Sequence, residues 1–172
     1  KDLLGARAGY VAMLSEDGTE NEVLFLDSGD ESCTVDKNLP MPIRGLREVV
    51  YRKGHTLFEN NFQNTPYTQF LPGGHVFLQN VLFAPLLIEQ KVVGLLGLAN
   101  KEGGFTENDQ RMATAFSELA TIALINSRTL ESLENSEKRF RVVAQSASDA
   151  VINIDSSGRV VFWNEAATKI FG

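Results

Sequence analysis

Val92-Val93-Gly94-Leu95-Leu96-Gly97-Leu98-Ala99-Asn100-Lys101, with Phe105-Thr106 and Asp109 just beyond it, is the run on which the fold turns. Its first eight residues are β-rich, and so is the stretch 81–88 before it. Only Glu89-Gln90 stands between, so residues 81–88 and 91–99 read as an antiparallel hairpin. Small residues recur at Gly94, Gly97 and Ala99, which predicts a neighbouring helix or a ligand close to the backbone. Thr106-Glu107-Asn108-Asp109 has capping-box spacing, and its acidic residues suit the positive end of a helix. No proline follows, so a long helix is expected from Thr106 onward.

Toward the N-terminus, residues 10–14 (YVAML) and 22–26 (EVLFL) flank Asp17-Gly18 and predict a second hairpin. Residues 27–41 are polar and read as loop. Residues 42–53 predict a short helix, with Ile43, Leu46, Val49 and Val50 on one face and Gly54 as its C-cap. Residues 56–59 read as a short strand. The loop 60–79 is rich in Asn, Gln, Pro and Gly, yet it holds Phe62, Tyr67, Phe70 and Phe77. Such rings either cover the sheet or line a cavity.

Along the long helix a heptad places Met112, Leu119, Asn126, Leu133 and Phe140 at a, and Phe116, Ala123, Leu130, Glu137 and Ala144 at d. A buried Asn at one a position fixes register and two-strandedness in coiled coils. The expectation is that residues 112–125 pack on the home sheet and that the later half forms a homodimer. Beyond Ser146, residues 150–155 and 159–163 read as strand, turn, strand, and 164–171 as a helical start.

The chain has 172 residues, 43% hydrophobic and 22% charged, with a formal charge of −6. It has no basic run, so a nucleic-acid partner is excluded. No stretch reaches about 18 apolar residues, so no membrane span is expected in this segment. The N-terminus carries no signal peptide and reads as a segment boundary. The single cysteine, Cys33, cannot form an internal disulfide and fits a cytoplasmic location. G-x-S-x-G, P-loop and H-E-x-x-H motifs are all missing, so no catalytic residue is assigned and an enzyme is not expected.

The order strand, strand, helix, strand, loop, strand, strand, long helix resembles a GAF domain over roughly residues 5–127. Asn100, Lys101, Phe105 and Asp109 match the Asn-Lys…Phe…Asp-Glu signature of cyclic-nucleotide-type GAF domains; Gln110 stands where its final Glu is expected. The resemblance implies an α+β fold: a central antiparallel sheet, helices on one face, and a small-molecule pocket on the other. It also implies that Lys101 and Asp109 are a structural brace rather than ligand contacts.

From Phe140 the chain resembles the start of a PAS domain, through Phe140-Arg141, Ser148-Asp149-Ala150-Val151, Ile154-Asp155, Gly158-Arg159-Val160, Asn164-Glu165-Ala166-Ala167 and Phe171-Gly172. The implied organisation is a GAF domain at 1–127, a linker helix at 128–139 and an N-terminal PAS fragment at 140–172, as in prokaryotic sensor histidine kinases. A fragment of about 33 residues is too short to build its own core. It is therefore expected to bind no cofactor, and to be disordered or pair through exposed strand edges.

The ligand-binding candidates are Asn60, Phe62, Phe70, His75, Asn80 and Phe83, since apolar walls with a few amides suit a planar ligand. The same residues also read as the sheet's apolar cover. His75, in Leu71-Pro72-Gly73-Gly74-His75, either meets a ligand or haem or is a surface histidine. His55 reads as structural or exposed, and two histidines without a carboxylate cluster give no metal spacing. Bilin-attaching GAF cysteines commonly have His beside them, whereas Cys33 has Ser32 and Thr34. GAF-type methionine sulfoxide reductases rely on more than one cysteine. Haem attachment or redox sensing at Cys33 stands beside an unreactive thiol. Three functional readings follow: a small-molecule sensor relaying through a dimeric helix, a ligand-free relay, and a haem-based gas or redox sensor. The sequence names no cofactor.

Overall fold

The computed structural model describes residues 1–29, 33–36 and 39–172. The chain forms two compact units, Lys1–Ala123 and Leu124–Gly172. The first holds strands β1 (Ala8–Leu14), β2 (Asn21–Asp27), β3 (Leu57–Glu59), β4 (Val81–Ile88) and β5 (Lys91–Ala99) in one antiparallel sheet of order β2-β1-β5-β4-β3. Helix α1 (Leu46–Lys53) precedes β3, and helix α2 (Glu107–Ser146) follows β5.

The β4–β5 hairpin forms because both central turn residues, Glu89 and Gln90, take positive φ, which matches the turn's twist to that of the strands. Pro85 sits inside β4, but β3 pairs only with Val81, Leu82 and Phe83. Its missing N–H therefore faces an edge, where no ladder bond is lost. Gly94 and Gly97 are explained by strands rather than by a helix or ligand. A Cβ at Gly97 would sit 2.3 Å from Cε1 of Tyr10, and one at Gly94 would sit 2.4 Å from the Ala12 carbonyl oxygen.

Helix α1 is shorter than its apolar pattern predicts. Residues 42 and 43 are extended, tied to the first hairpin by the Glu20–Pro42 bridge and by Ile43 N–H donating to Thr19 O at 2.9 Å. Gly45 at φ 67°, ψ −142° then breaks any helical path from Pro42. At the other end Gly54 takes the left-handed conformation and its N–H donates to Val50 O at 2.8 Å, an αL C-cap.

The sheet buries two apolar clusters. On one face Val81, Phe83 and Leu95 meet Val50 of α1 and Phe62 and Leu78 of the 60–80 segment. On the other Leu82, Ala84 and Leu98 meet Leu4, Phe105 and Ala113. The face of α2 that packs at home is narrower than expected: Asp109, Ala113, Ser117 and Thr121 are buried, spaced by four, with Met112 and Phe116 partly buried beside them. Leu119, Ile122 and Ile125, expected against the sheet, are exposed.

The second unit takes the C-terminal half of α2, a two-stranded ribbon of β6 (Ile152–Ile154) and β7 (Val160–Trp163), and helix α3 (Glu165–Phe171). Its centre is Asn164, which is fully buried. The Asn164 amide donates to Ala144 O at 2.8 Å and Asp149 O at 2.9 Å, and its Oδ1 accepts from Val151 N and Ala167 N, both at 2.9 Å. All four bonding sites are used, one of them as the N-cap of α3. Phe140 packs on Phe162 with ring centroids 5.5 Å apart. Phe140 and Ala144, assigned to a dimer seam by the heptad, thus face this unit's own strand and cap. The segment expected either to be disordered or to pair through exposed strand edges carries regular elements with defined partners within its own unit. Asn164→Ala is expected to remove exchange protection from β6, β7 and α3 while the amides of β4 and β5 stay protected; hydrogen exchange with mass spectrometry reads this directly.

Candidate functional site

A cavity of about 250 Å³ lies on the α1 face of the five-stranded sheet. Its floor is strand: Ala8 and Tyr10 of β1, Val81 and Phe83 of β4, and the backbone of β5 at Gly97. Gly97 makes this floor possible, because the Tyr10 ring occupies the space a side chain there would need. The Tyr10 and Phe83 rings then stand 6.3 Å apart. The N-terminal end of α1 forms one wall through Gly45, Leu46 and Arg47, while Phe62, Tyr67, Phe70 and His75 of the 60–80 segment form another. Val23 and Leu26 of edge strand β2 close a third side, with Cys33, Asp36 and Leu39.

The 60–80 segment is not plain loop. Two 3₁₀ turns, Phe62–Asn64 and Pro66–Phe70, shape it. Thr65 caps the second, its hydroxyl accepting from Tyr67 N at 3.3 Å. These turns aim Phe62, Tyr67 and Phe70 inward, whereas Phe77 is 64% exposed.

Phe62, Phe70, His75 and Phe83 all line the cavity. Asn60 and Asn80 do not; they staple backbone. The Asn60 amide donates to Phe105 O at 2.9 Å and accepts from Phe105 N at 2.7 Å. Asn80 likewise donates to Lys101 O and accepts from Lys101 N, both at 2.9 Å. Asn100, with positive φ, donates to Phe77 O and accepts from Gln79 N. These three amides hold the segment that frames the cavity to the corner between β5 and α2. At that corner Lys101 Nζ lies 2.5 Å from Asp109 Oδ1, and Asp109 Oδ2 accepts from Thr106 N and Thr106 Oγ1, both at 2.8 Å.

Cys33 is exposed and lines the cavity, as does His75. Thr34 N donates to Gly74 O at 3.1 Å, which holds the two short segments together. The His75 ring Nδ1 lies 2.9 Å from Val76 O. His55 is exposed. No group of three or more His, Cys, Asp or Glu capable of holding a metal occurs among the described residues.

The polar corner of the cavity was not visible in the sequence. Arg47 Nη2 donates to Pro42 O at 3.1 Å. Close by, Tyr51 Oη donates to Asn21 Oδ1 at 2.6 Å. Burial pushes the Tyr10 hydroxyl pKa up, with Arg47 pulling the other way. Burial does the same to Tyr51, reinforced by Tyr10 and opposed by Arg47. Both phenols therefore stay protonated at neutral pH and can donate. A signal was there to be read: Arg47 precedes Val50 by three and Tyr51 by four, so it shares their inward helix face.

A family model described as GAF domain matches residues 1–125, and one described as PAS fold matches residues 138–172. A methyl sulfide methyltransferase-associated sensor of Methanosarcina acetivorans is 29% identical over 119 residues, 65% of this chain. The chain spans 12% of that relative's length. Among solved structures, the GAF domain of a Coxiella burnetii phosphoenolpyruvate-protein phosphotransferase is 13% identical with a TM-score of 0.63, over 76% of this chain and 79% of that one. A free methionine-R-sulfoxide reductase from Neisseria meningitidis, solved with its substrate, is 17% identical with a TM-score of 0.60, over 76% and 74%. At these identities the two structures speak for the fold alone. No helix among the described residues is long and apolar enough to cross a membrane.

Proposed function

The chain belongs to the GAF domain family through residues 1–125, and from that premise we propose that it binds a small molecule in the sheet-face cavity and relays occupancy along α2. It is a sensory module of a signalling protein, with a PAS-fold segment after the GAF domain and a sensor among its relatives. The cavity carries the proposal: apolar walls and a few polar atoms, framed by a segment that three asparagines staple to the start of α2. A ligand under this segment presses on the same corner from which the helix leaves. It shifts the helix only to the extent that it binds the two arrangements with different affinity.

The parent protein is read as a cytoplasmic sensor histidine kinase, and the active form of the module as a dimer. Leu130 and Leu133 are exposed on the part of α2 that belongs to the second unit and supply apolar contacts for pairing. The module itself is read as non-catalytic. Cys33 is its only cysteine, so no internal disulfide can close a thiol-based reductive cycle of the kind a sulfoxide reductase needs. A second reading has one observation behind it: Cys33 and His75 line the same cavity, where a haem or redox ligand would meet both. About 250 Å³ is small for a haem macrocycle, and a Soret band in the purified protein would establish this reading instead.

Native mass spectrometry of the 172-residue chain tests the proposal. The expected spectrum is a dimer carrying a discrete added mass, below that of haem. A monomer overturns the pairing through α2. A dimer that takes up no small molecule across a metabolite panel leaves only a ligand-free relay.

A further inference from the structure

Three buried side-chain polar atoms among the described residues make no hydrogen bond of good geometry: Tyr10 Oη, Asn21 Nδ2 and Arg47 Nη1, although the Arg47 guanidinium stands near enough to the Tyr10 hydroxyl to lower its pKa. They belong to one neighbourhood. Tyr10 and Arg47 both line the cavity, and Tyr51, which bonds Asn21, lies close enough to both to be coupled to them electrostatically. Two of the three atoms are donors only, and the third is a hydroxyl that can donate. A chance defect has no reason to leave an excess of one kind. Native structures pair buried polar groups, so an unpaired set of donors calls for an acceptor.

Charge points the same way. The Arg47 guanidinium makes no ion pair with a carboxylate among the described residues, where the salt bridges all lie elsewhere. Its other nitrogen is pinned on Pro42 O, which fixes the guanidinium rather than leaving it to swing to solvent. Arg44 also lines the cavity, donating to Phe70 O at 2.9 Å and lying 5.5 Å from the Phe70 ring centroid. Among the described residues Asp36 is the one carboxylate in the lining. A guanidinium held partly out of water in a mostly apolar cavity is costly unless an anion meets it.

We propose that the cavity is selective for a small monocarboxylate with an apolar body, its carboxylate received by Arg47 Nη1 and the Tyr10 hydroxyl and its body lying against Phe62, Tyr67 and Phe83. This rests on the reading of the cavity as a ligand site and adds the chemical class. The volume of about 250 Å³ falls below the range of roughly 300–1,000 Å³ usual for drug-sized ligands, so the body is a short branched chain or a single ring. A phosphate fits less well, because its extra charge and oxygens would need more donors than this corner provides.

The test uses the 172-residue chain with a panel of aliphatic and aryl monocarboxylates of two to ten carbons, each beside its primary amide, and inorganic phosphate. Ligand-observed NMR detects binding and calorimetry measures it. At least one acid is expected to bind, with its amide and phosphate on the order of tenfold weaker or more, as loss of a charged hydrogen bond implies. In Arg47→Met the acid should lose that preference while the amide still binds. Apo Arg47→Met should melt no lower than wild type, since it trades one hydrogen bond to Pro42 O for the removal of a half-buried charge that has no carboxylate partner among the described residues. Arg47→Lys, which keeps the charge, should restore part of the preference for acid. Amides binding as well as acids, with Arg47→Met indifferent, overturns the carboxylate and leaves the cavity reading standing. Phosphate binding best likewise overturns the carboxylate. If no acid or amide binds, and benzene does not enter either, the cavity reading falls with it.

Discussion

Gly94→Ala is expected to lower stability by about 3 kcal/mol or to prevent folding, although it adds a single methyl group to a β-strand. The methyl would meet the Ala12 carbonyl oxygen at 2.4 Å, the Leu86 Cδ1 at 3.0 Å and the Met13 Cα at 3.2 Å. Two of these contacts are backbone and cannot rotate away. Relief requires β1 and β5 to part where Ala12 pairs with Leu95 and Met13 with Gly94, in the middle of the sheet. At this chain length such a loss corresponds to a fall of roughly 6–12 °C in Tm, readable by circular dichroism. Gly97→Ala provides the contrast. The nearest atoms to its methyl would all belong to the Tyr10 ring, a side chain that can swing toward the cavity. Its destabilisation should be smaller, about 1–2 kcal/mol, but it should abolish ligand uptake by filling the site with Tyr10. A Gly94→Ala protein that melts like wild type would mean the strands do not approach as closely as described.

The two glycines also mark what the sequence could convey. The bounds of β4 and β5 were legible because strong β-formers ran unbroken on both sides of a two-residue turn. That small residues in β5 meant a close approach was legible as well. The approaching group was not, because Tyr10 lies some ninety positions earlier and the pairing of β1 with β5 is a tertiary fact. For α1, the apolar spacing continued back through Ile43, yet Gly45 and the bonds of residues 41–43 to the first hairpin won over local propensity. In the site, the aromatic excess at Phe62, Tyr67 and Phe70 marks the cavity because rings have little reason to sit in a solvated loop, although Phe77, which the same rule includes, is exposed. Asn60 and Asn80 were read by the same rule as ligand amides. Composition alone does not separate an amide facing a ligand from one closing a backbone gap, and Asn favours the second wherever irregular chain is buried. Arg47 gives the opposite case: a charged residue on a short helix normally faces water, and only a buried Val50 one turn later contradicts that.

Asp109→Ala should cost about 2–3 kcal/mol at pH 7, the loss of an N-cap bond and of a partly buried ion pair together. The Asp109 side chain is 6% exposed and that of Lys101 is 23% exposed. Removing the carboxylate strands the Thr106 N–H and leaves Lys101 to turn toward solvent, which is why the figure stays below that for a fully buried pair. The pH dependence has a definite sign. Burial by itself would raise the Asp109 pKa, but hydrogen bonds from Lys101 and Thr106 outweigh it and hold the pKa below its ordinary value of 3.8. A carboxyl whose pKa is lower folded than unfolded binds its proton more readily when unfolded. Its contribution is therefore complete only from about pH 4.5 upward, clear of the ordinary value of 3.8, and is lost as pH falls through the folded value. Asp109→Asn keeps an acceptor for Thr106 and cannot titrate. The stability gap between wild type and Asp109→Asn, measured by urea unfolding, should be constant from pH 7 to about 4.5 and then narrow toward pH 3. The remaining carboxylates titrate in both proteins and cancel in the difference. A gap that stays constant down to pH 3 would mean that the Asp109 charge contributes nothing and that the corner between β5 and α2 is held by the asparagine staples alone. In that case a ligand beneath the 60–80 segment would act on the helix through Asn60, Asn80 and Asn100, and the acidic first turn of α2 would be no part of the relay.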